Sequence, residues 1–190
     1  MVLSDRTIKD EIDKGRIIID PLIPNCIQPA SVDLHLDKKL LAFKPQRHPA
    51  YIDVRHSPDH LHELVELDED NAFFLNPGEL VLASTLESIT LPDDIVGRLE
   101  GKSSLGRIGL LINSTAGYVD PGWQGNLTIE ISNVAKLPIT LYYKMKIGQI
   151  SFRRLTSPVD RLYGAAELDS RYQGQSEPTA SRYHEDFVKG

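Results

Sequence analysis

Residues 117–132 read GYVDPGWQGNLTIEIS and combine a turn with the strand that follows it. The Asp-Pro-Gly run at 120–122 is typical of a tight turn, because proline fixes φ and glycine accepts conformations that other residues avoid. Beyond it, Leu127, Ile129 and Ile131 alternate with polar residues, the period of a strand with one buried face. The stretch therefore predicts β-structure.

Strand patterns separated by turn residues recur on both sides of this stretch. They are AFFL (72–75), ELVLASTL (79–86), SITLP (88–92), IVGRLE (95–100), PITLYYK (138–144) and IGQISFRRL (147–155). Many short strands punctuated by Gly and Pro indicate an all-β sandwich, barrel or jelly roll, and the pattern alone does not choose among them.

The N-terminal third adds one helix and one long strand. Residues 4–15 predict a short helix with Ser4 as N-cap and Gly15 at its end. Residues 30–43 alternate, with Val32, Leu34 and Leu36 on one face and Asp33, His35 and Asp37 on the other. This alternation predicts a half-buried strand, and the proline- and histidine-rich residues 44–62 predict a loop.

Composition bounds the class of protein. The 190 residues are 41% apolar and 25% charged, which suits one globular domain. The net charge of −6 argues against non-specific binding to nucleic acid or to a membrane surface. No stretch approaches the roughly 20 apolar residues of a membrane span, and the first ten residues lack a signal-peptide core. With Cys26 as the single cysteine, a cytoplasmic location is expected.

The stretch EGKSSLGR at 100–107 is suited to an anion. Small residues let backbone N–H groups approach it, while Lys102 and Arg107 supply charge. A P-loop is excluded, because its first glycine would have to stand where Val96 is. An ordinary glycine-serine turn between strands explains the composition equally well.

Glu130 is an acid in the middle of an otherwise apolar strand. It can lie on a solvated outer face, or it can be a carboxyl group in a pocket, usable as a proton shuttle. Asp120 and Trp123 have ordinary explanations in turn geometry and packing. The sequence contains neither P-C-x-x-C nor G-x-S-x-G, which disfavours a zinc deaminase and a serine hydrolase.

The motifs GKSSLGR (101–107), NLTIEIS (126–132), KLPITLYYKMKIGQISF (136–152) and SRYQGQ (170–175) resemble the dCTP deaminases of the dUTPase superfamily. The resemblance runs from LSDRTIKDEI (3–12) to the tail and is strongest to the bifunctional dCTP deaminase/dUTPase enzymes. These convert dCTP to dUMP, ammonia and pyrophosphate.

The resemblance implies a mostly β, dUTPase-like distorted jelly roll (β-clip) with a short N-terminal helix and a C-terminal tail. It implies one domain over 1–190, in which the polar residues 157–190 are either a frayed tail or a lid. It also implies a homotrimer with active sites at subunit interfaces. Mg²⁺ would arrive on the triphosphate, with no zinc, and dTTP would be a feedback inhibitor.

The resemblance assigns roles to individual residues. Glu130 would transfer protons at the cytosine ring, Ser103 and the backbone of Ala116 would position the water, and Asp120 would contact the sugar and assist the phosphate step. The predicted phosphate loop is Lys102, Ser103, Ser104, Leu105, Gly106 and Arg107. The predicted contacts to the base and phosphates are Thr128, Ile129, Gln149, Tyr163, Arg171 and Gln175.

Two positions bear on reaction outcome and regulation. Gly117 and Tyr118 match the bifunctional members, whereas monofunctional bacterial deaminases carry His-Arg there, which favours the dUMP-forming reaction. Asn113 stands where many members have histidine, so feedback by thymidine nucleotides can differ here. The remaining alternatives are deamination that stops at dUTP, a plain dUTPase, a non-catalytic nucleotide sensor and a purely structural trimer.

Overall fold

The computed structural model describes residues 1–44, 51–112 and 116–188. Helix α1 (Asp5–Asp13) begins where it is predicted, after Ser4, whose hydroxyl accepts a hydrogen bond from the Thr7 N–H at 3.4 Å. Leu3 and Ile8 are both buried, which anchors the start of the helix on the sheet. The helix prediction is confirmed.

The rest of the described chain is mostly strand. In order, the strands are β1 (Ile18–Asp20), β2 (Ile27–Gln28), β3 (Ser31–Phe43), β4 (His62–Glu66), β5 (Phe73–Leu75), β6 (Leu80–Thr90), β7 (Ile95–Gly101), β8 (Leu110–Ile112), β9 (Tyr118–Val119), β10 (Gln124–Asn133), β11 (Ile139–Leu141) and β12 (Lys146–Arg154). A single helical turn, α2 (Ser103–Gly106), follows β7. The mostly β prediction is confirmed.

An antiparallel sheet organises these strands around β3. Its order is β8-β10-β6-β3-β12-β7-β9, with β1 added to β6 and with β2 and β4 added to β3, while β5 and β11 pair separately. The first half of β3 pairs with β12, and its second half pairs with β4 and β6. Because one strand joins two sets of partners, the sheet curls around a shared core that includes Leu34, Leu40 and Ile129.

Several strand boundaries differ from the sequence prediction. The segments at 79–86 and 88–92 form one continuous strand, β6. Glu87 does not interrupt this strand, because its buried carboxylate accepts a hydrogen bond from the His35 N–H at 2.9 Å and contacts His35 Nδ1 at 2.5 Å. The loop predicted at 44–62 lies partly outside the described residues, and its last residue starts β4.

The prediction of an exposed polar face on β3 is wrong at two positions. Asp33 is only 2% exposed and His35 only 6%. Burial of such groups requires partners, and both have them: Asp33 pairs with Lys102 and Lys146, and His35 with Glu87.

Asn113, the position predicted to bear on feedback by thymidine nucleotides, lies outside the described residues.

The tail lies along β10. After β12 the chain forms two short 3₁₀ turns, Ala166–Leu168 and Tyr183–Phe187, joined by a segment of bends and turns. Between them, backbone hydrogen bonds join Gly174 to Gln124 (2.8 Å) and Asn126 to Gln175 (2.9 Å). The tail thereby closes one side of the cavity described next.

Candidate active site

A cavity of about 320 Å³ lies between the polar face of β10 and the tail. Eight residues singled out from the sequence line it: Ala116, Gly117, Tyr118, Asp120, Thr128, Glu130, Tyr163 and Gln175. They come from three separate parts of the chain, so the fold brings together positions that are up to 59 residues apart (175 − 116).

Strand β10 places the acid of this cavity. Leu127, Ile129 and Ile131 are buried in the core, whereas Thr128 and Glu130 are half-buried on the opposite face, as the alternation predicts. Glu130 therefore lines the cavity and does not lie on a fully solvated face. Ile129 contributes its backbone to this region, since its side chain is in the core.

Gly125 lets the tail reach the strand. Its φ is +136°, and a Cβ there would lie 2.6 Å from the carbonyl oxygen of Gln175. With no side chain in the way, Gln175 donates from Nε2 to the Asn126 carbonyl at 2.9 Å. Further along, the Thr179 N–H donates to the Thr128 hydroxyl at 3.3 Å.

Gln175 retains hydrogen-bonding capacity inside the cavity. Its Oε1 is buried and has no hydrogen-bond partner within residues 1–44, 51–112 and 116–188. A buried acceptor without a donor costs free energy. Gln175 is therefore suited to receive a hydrogen bond from a bound molecule.

Aromatic side chains form the end wall. Trp123 and Tyr163 have ring centroids 5.4 Å apart, and the Trp123 indole donates to the Gly125 carbonyl at 3.1 Å. Burial raises the pKa of Tyr163, and the negative charge of Asp120 raises it further. The phenol thus keeps its proton and can act as a donor to a ligand. Trp123 serves mainly in packing, as its sequence context suggests.

Gly117 and Tyr118 border the cavity with different roles. The Gly117 carbonyl accepts a hydrogen bond from the Leu99 N–H at 2.7 Å, and a Cβ on Gly117 would come within 2.6 Å of the Leu99 oxygen. A larger residue there would force the backbone apart. Tyr118 is 62% exposed, with the Arg98 guanidinium 5.6 Å from its ring centroid.

The serine-rich loop forms a second cavity of about 420 Å³ within the same chain. Lys102, Ser103, Gly106 and Gln149 line it. Ser104 and Arg107 are exposed, and Leu105 packs against the core. The described residues that line this cavity and those that line the cavity of Glu130 have no member in common.

Asp33 holds the lysine at the start of this loop. Its carboxylate pairs with Lys102 through Oδ1 and with Lys146 through Oδ2, the latter at 3.0 Å. Burial alone would raise the pKa of Asp33, but the hydrogen bonds and charges of the two lysines outweigh burial and leave that pKa below its ordinary value. Asp33 is therefore an anion that fixes Lys102 beside the serines.

The side chain of Arg171, itself a tail residue, contacts other residues of the tail. Its guanidinium pairs with Asp186 and lies 6.0 Å from the Tyr183 ring centroid, and it does not line the cavity of Glu130. The side chain of Arg171 is thus engaged within the tail, and it lines neither the cavity of Glu130 nor that of the serine-rich loop.

The described residues contain neither a cluster of metal ligands nor a helix suited to a membrane. Nowhere in 1–44, 51–112 and 116–188 do three side chains of His, Cys, Asp or Glu converge as a metal site would require. Among the same residues, none of the helices has the length and apolar character needed to traverse a bilayer.

Known proteins similar to this chain show which family it belongs to. The family described as dCTP deaminase-like matches residues 2–155. The chain belongs to the dCTP deaminase-like family. A relative from Mycobacterium sp. (strain KMS), named dCTP deaminase, dUMP-forming, is 54% identical over 189 residues, which cover 100% of this chain and 99% of the relative. A relative from Beutenbergia cavernae with the same name is 55% identical over 187 residues, covering 98% and 97%.

A solved structure supports the dCTP deaminase-like fold. The 2'-deoxycytidine 5'-triphosphate deaminase from Agrobacterium tumefaciens superposes with a TM-score of 0.63 at 24% identity, covering 81% of this chain and 47% of that one. The expected fold of this family is therefore confirmed.

Sequence reasoning did not single out four polar residues at or beside the two cavities. Tyr172, Thr179 and Ser181 line the cavity of Glu130 from the tail, and Asp33 anchors the serine-rich loop. The tail residues carry no local pattern, because their place depends on long-range docking. Asp33 had a signal, an acid inside an alternating strand, but its burial depends on lysines that lie far along the chain.

Proposed function

We propose that this protein converts dCTP to dUMP, ammonia and pyrophosphate. The supporting observation is the arrangement of Glu130, Asp120, Tyr163 and Gln175 around one cavity, in a chain whose full-length relatives carry that activity in their names. Water would add at C4 of the cytosine and ammonia would leave, giving dUTP. A second water would then cleave the bond between the α- and β-phosphates.

Glu130 is the proposed proton carrier of the first step. From its half-buried position on β10 its carboxylate would take a proton from the attacking water, and it would return protons to the ring and to the leaving nitrogen. Ser103 and the Ala116 backbone would hold the water, with catalysis resting on position as much as on acidity.

The base, sugar and phosphates have separate proposed contacts. Thr128, the Ile129 backbone and Gln175 would bind the cytosine, with Tyr163 closing the end wall and Asp120 on the sugar and the phosphate-cleaving water. Lys102, Ser103, Ser104 and Arg107 would bind the triphosphate, together with the Leu105 and Gly106 backbone and with Gln149. Arg171 would also bind a phosphate once its ion pair with Asp186 has broken.

The two cavities have to be combined for this reaction. Within one chain the serine-rich loop and Glu130 line different cavities. We therefore place the complete site between chains of a homotrimer, in which one copy supplies Glu130 and its neighbour supplies the loop. The chain would act as a single domain with the tail, 157–190, as the lid over the nucleotide.

Mg²⁺ would enter with the nucleotide. Phosphate oxygens and water are ligands that Mg²⁺ prefers, so the triphosphate itself would carry the cation. Bound there, it would neutralise charge on the triphosphate. Inhibition by dTTP through the same cavity, the glycine and tyrosine at 117 and 118 as the basis of the second step, and a cytoplasmic location stay predictions.

Product analysis tests the proposal. Purified protein is incubated with dCTP and Mg²⁺, and nucleotides, ammonia and pyrophosphate are quantified by chromatography and coupled assays. We expect dUMP, ammonia and pyrophosphate in equal amounts. Accumulation of dUTP would restrict the function to deamination, and tight dCTP binding without turnover would replace the enzyme by a nucleotide sensor.

A further inference from the structure

A further cavity is lined in part by Glu130. It has a volume of about 290 Å³ and lies between residues 52–62, the strands β3 and β6, and the tail. Leu82, Glu130 and Ser181 line both this cavity and the one assigned to the nucleotide. Glu130 thus contributes to the lining of both cavities.

This cavity is called here the histidine cavity. Its lining is mostly apolar and includes three imidazoles. His56, His62 and His184 line it beside Phe43 and Val54. Two of the imidazoles have local partners: His62 Nδ1 lies 3.0 Å from the Pro58 carbonyl, and His56 Nδ1 lies 3.6 Å from the Asp53 carboxylate.

His184 differs from the other two histidines. Its Nδ1 is buried, and none of the described residues offers it a hydrogen bond. A buried ring nitrogen without a partner is costly unless a small molecule occupies the adjacent space. A water takes about 30 Å³ of liquid volume, so the histidine cavity has room for several molecules of that size.

Deamination requires that water enter and ammonia leave while the nucleotide stays bound. Pyrophosphate release does not impose this requirement. When the C4–N bond breaks and the C4–O bond forms, the departing nitrogen carries away the protons delivered through Glu130 and becomes ammonia. At that moment the nucleotide would fill the cavity of Glu130, and the tail would cover the nucleotide. A water must have reached C4 beforehand, and the ammonia must leave without displacing the nucleotide, which is still needed for the second step.

We propose that the histidine cavity is the passage through which water reaches Glu130 and ammonia departs, with His184 Nδ1 forming a hydrogen bond to the molecule in transit. The inference rests on the proposed function. It assigns to the 52–62 segment and to the end of the tail a role in the first chemical step alone.

Obstruction of the passage gives the main test. Val54 lines the histidine cavity only, and Val54→Trp introduces an indole at its wall. We expect kcat for ammonia release from dCTP to fall about tenfold, because exit of product becomes slow. The KM for dCTP and the rate of dUTP conversion to dUMP should stay within about twofold of wild type, since the nucleotide cavity is untouched. Val188→Trp is the control: this tail residue is 75% exposed and lines neither cavity.

Two substitutions of His184 test the hydrogen bond. His184→Phe keeps a flat ring of similar size but removes both nitrogens, whereas His184→Gln keeps a polar group. We expect the phenylalanine variant to lose deamination selectively and the glutamine variant to recover most of it, with dUTP conversion unchanged in both. A merely structural histidine would lower both activities together.

The outcomes separate the inference from the function. If wild-type protein releases no ammonia from dCTP, the proposed function itself is wrong. If wild type is active and Val54→Trp leaves deamination unchanged, or lowers dUTP conversion by the same factor, the passage is wrong and the function stands. Selective loss with both Val54→Trp and His184→Phe supports the passage.

Discussion

At the scale of single residues, three carboxylates show how position decides role. Glu130 is half-buried beside an open cavity, Asp33 is buried between two lysines, and Glu87 is buried against His35. Glu130 lines the cavity, whereas Asp33 is held by two lysines and Glu87 by His35. A carboxylate therefore holds protein segments together at two of these positions, and at the third it is the proposed proton carrier.

Glu130→Gln tests the catalytic assignment. The amide keeps the size of the side chain but cannot accept and return a proton, so ammonia release from dCTP should fall by at least about 10²-fold. Conversion of dUTP to dUMP should persist, since it needs no proton transfer at the pyrimidine. Ammonia assays on both substrates measure this, and full retention of deamination would reject the role of Glu130.

Asp33→Asn tests the anchoring of the phosphate loop. Without the anion, Lys102 and Lys146 lose their shared counterion, and Lys102 is no longer held beside the serines. We expect the KM for dCTP to rise about tenfold with a smaller change in kcat, because the interaction lost is binding rather than chemistry. Asp37→Asn is the control: Asp37 lies on the same strand and accepts a hydrogen bond from the Ser84 hydroxyl at 3.4 Å. Equal effects of the two variants would contradict the anchoring.

At the scale of elements, an ion-pair cluster fastens helix α1 to the sheet. Glu11 accepts from Arg16 at 2.7 Å and from Arg154 at 2.6 Å, and Asp94 accepts from the same two arginines at 2.5 and 2.7 Å. Glu11 lies in the helix, Asp94 between β6 and β7, and Arg154 at the end of β12. The cluster thus ties three distant parts of the chain.

The cluster predicts a pH-dependent stability. Burial alone would raise the pKa of Glu11, but the two arginines outweigh it and lower that pKa below its ordinary 4.5. The unfolded chain then binds more protons in acid, so the stabilisation is present above about pH 4.5 and is lost as the pH falls below it. Glu11→Gln should cost about 2 kcal/mol at pH 7.

Unfolding measurements at several pH values check this. The difference in stability between wild type and Glu11→Gln should be largest near neutrality and should shrink below pH 4.5, the ordinary pKa of the group. Glu167→Gln, in the tail and outside the cluster, serves as the matched control. A difference that is constant across the acid range would show that the charge of Glu11 is not what stabilises the helix.

At the scale of the whole molecule, the separation of the two cavities is the main feature. The serine-rich loop and Glu130 belong to one proposed site but line different cavities of one chain. A heterologous interface that closes into a ring brings unlike surfaces of neighbouring copies together. The exposed apolar residues Ile108, which follows the loop, and Val134, whose N–H donates to the Gly109 carbonyl at 2.9 Å, are available for such an interface.

Mixing two inactive variants tests assembly of the site. Glu130→Gln and Ser103→Ala each damage a different half of it. If every site takes its acid from one copy and its serine from the next, random co-assembly in equal amounts should leave about one quarter of the sites intact. Co-expression followed by an ammonia assay measures this recovery. No recovery in a confirmed mixed trimer would place the whole site within one chain.

The sequence by itself determined the class of fold, the helix at the N-terminus and the inward and outward faces of β10. These features depend on local rules: turn residues, the two-residue period of a strand and a helix cap. The same rules placed Glu130 on the polar face of its strand. Family resemblance supplied the residue set around it, and eight of those residues meet in one cavity.

Tertiary structure alone decided what covers each side chain. Asp33 and His35 have the pattern of an exposed face, yet they are buried because partners distant in sequence neutralise them. The docking of the tail on β10, the separation of the serine-rich loop from the cavity of Glu130, and the histidine cavity likewise depend on contacts between segments far apart in the chain. No local pattern encodes such contacts, because burial is a property of the neighbours and not of the residue itself.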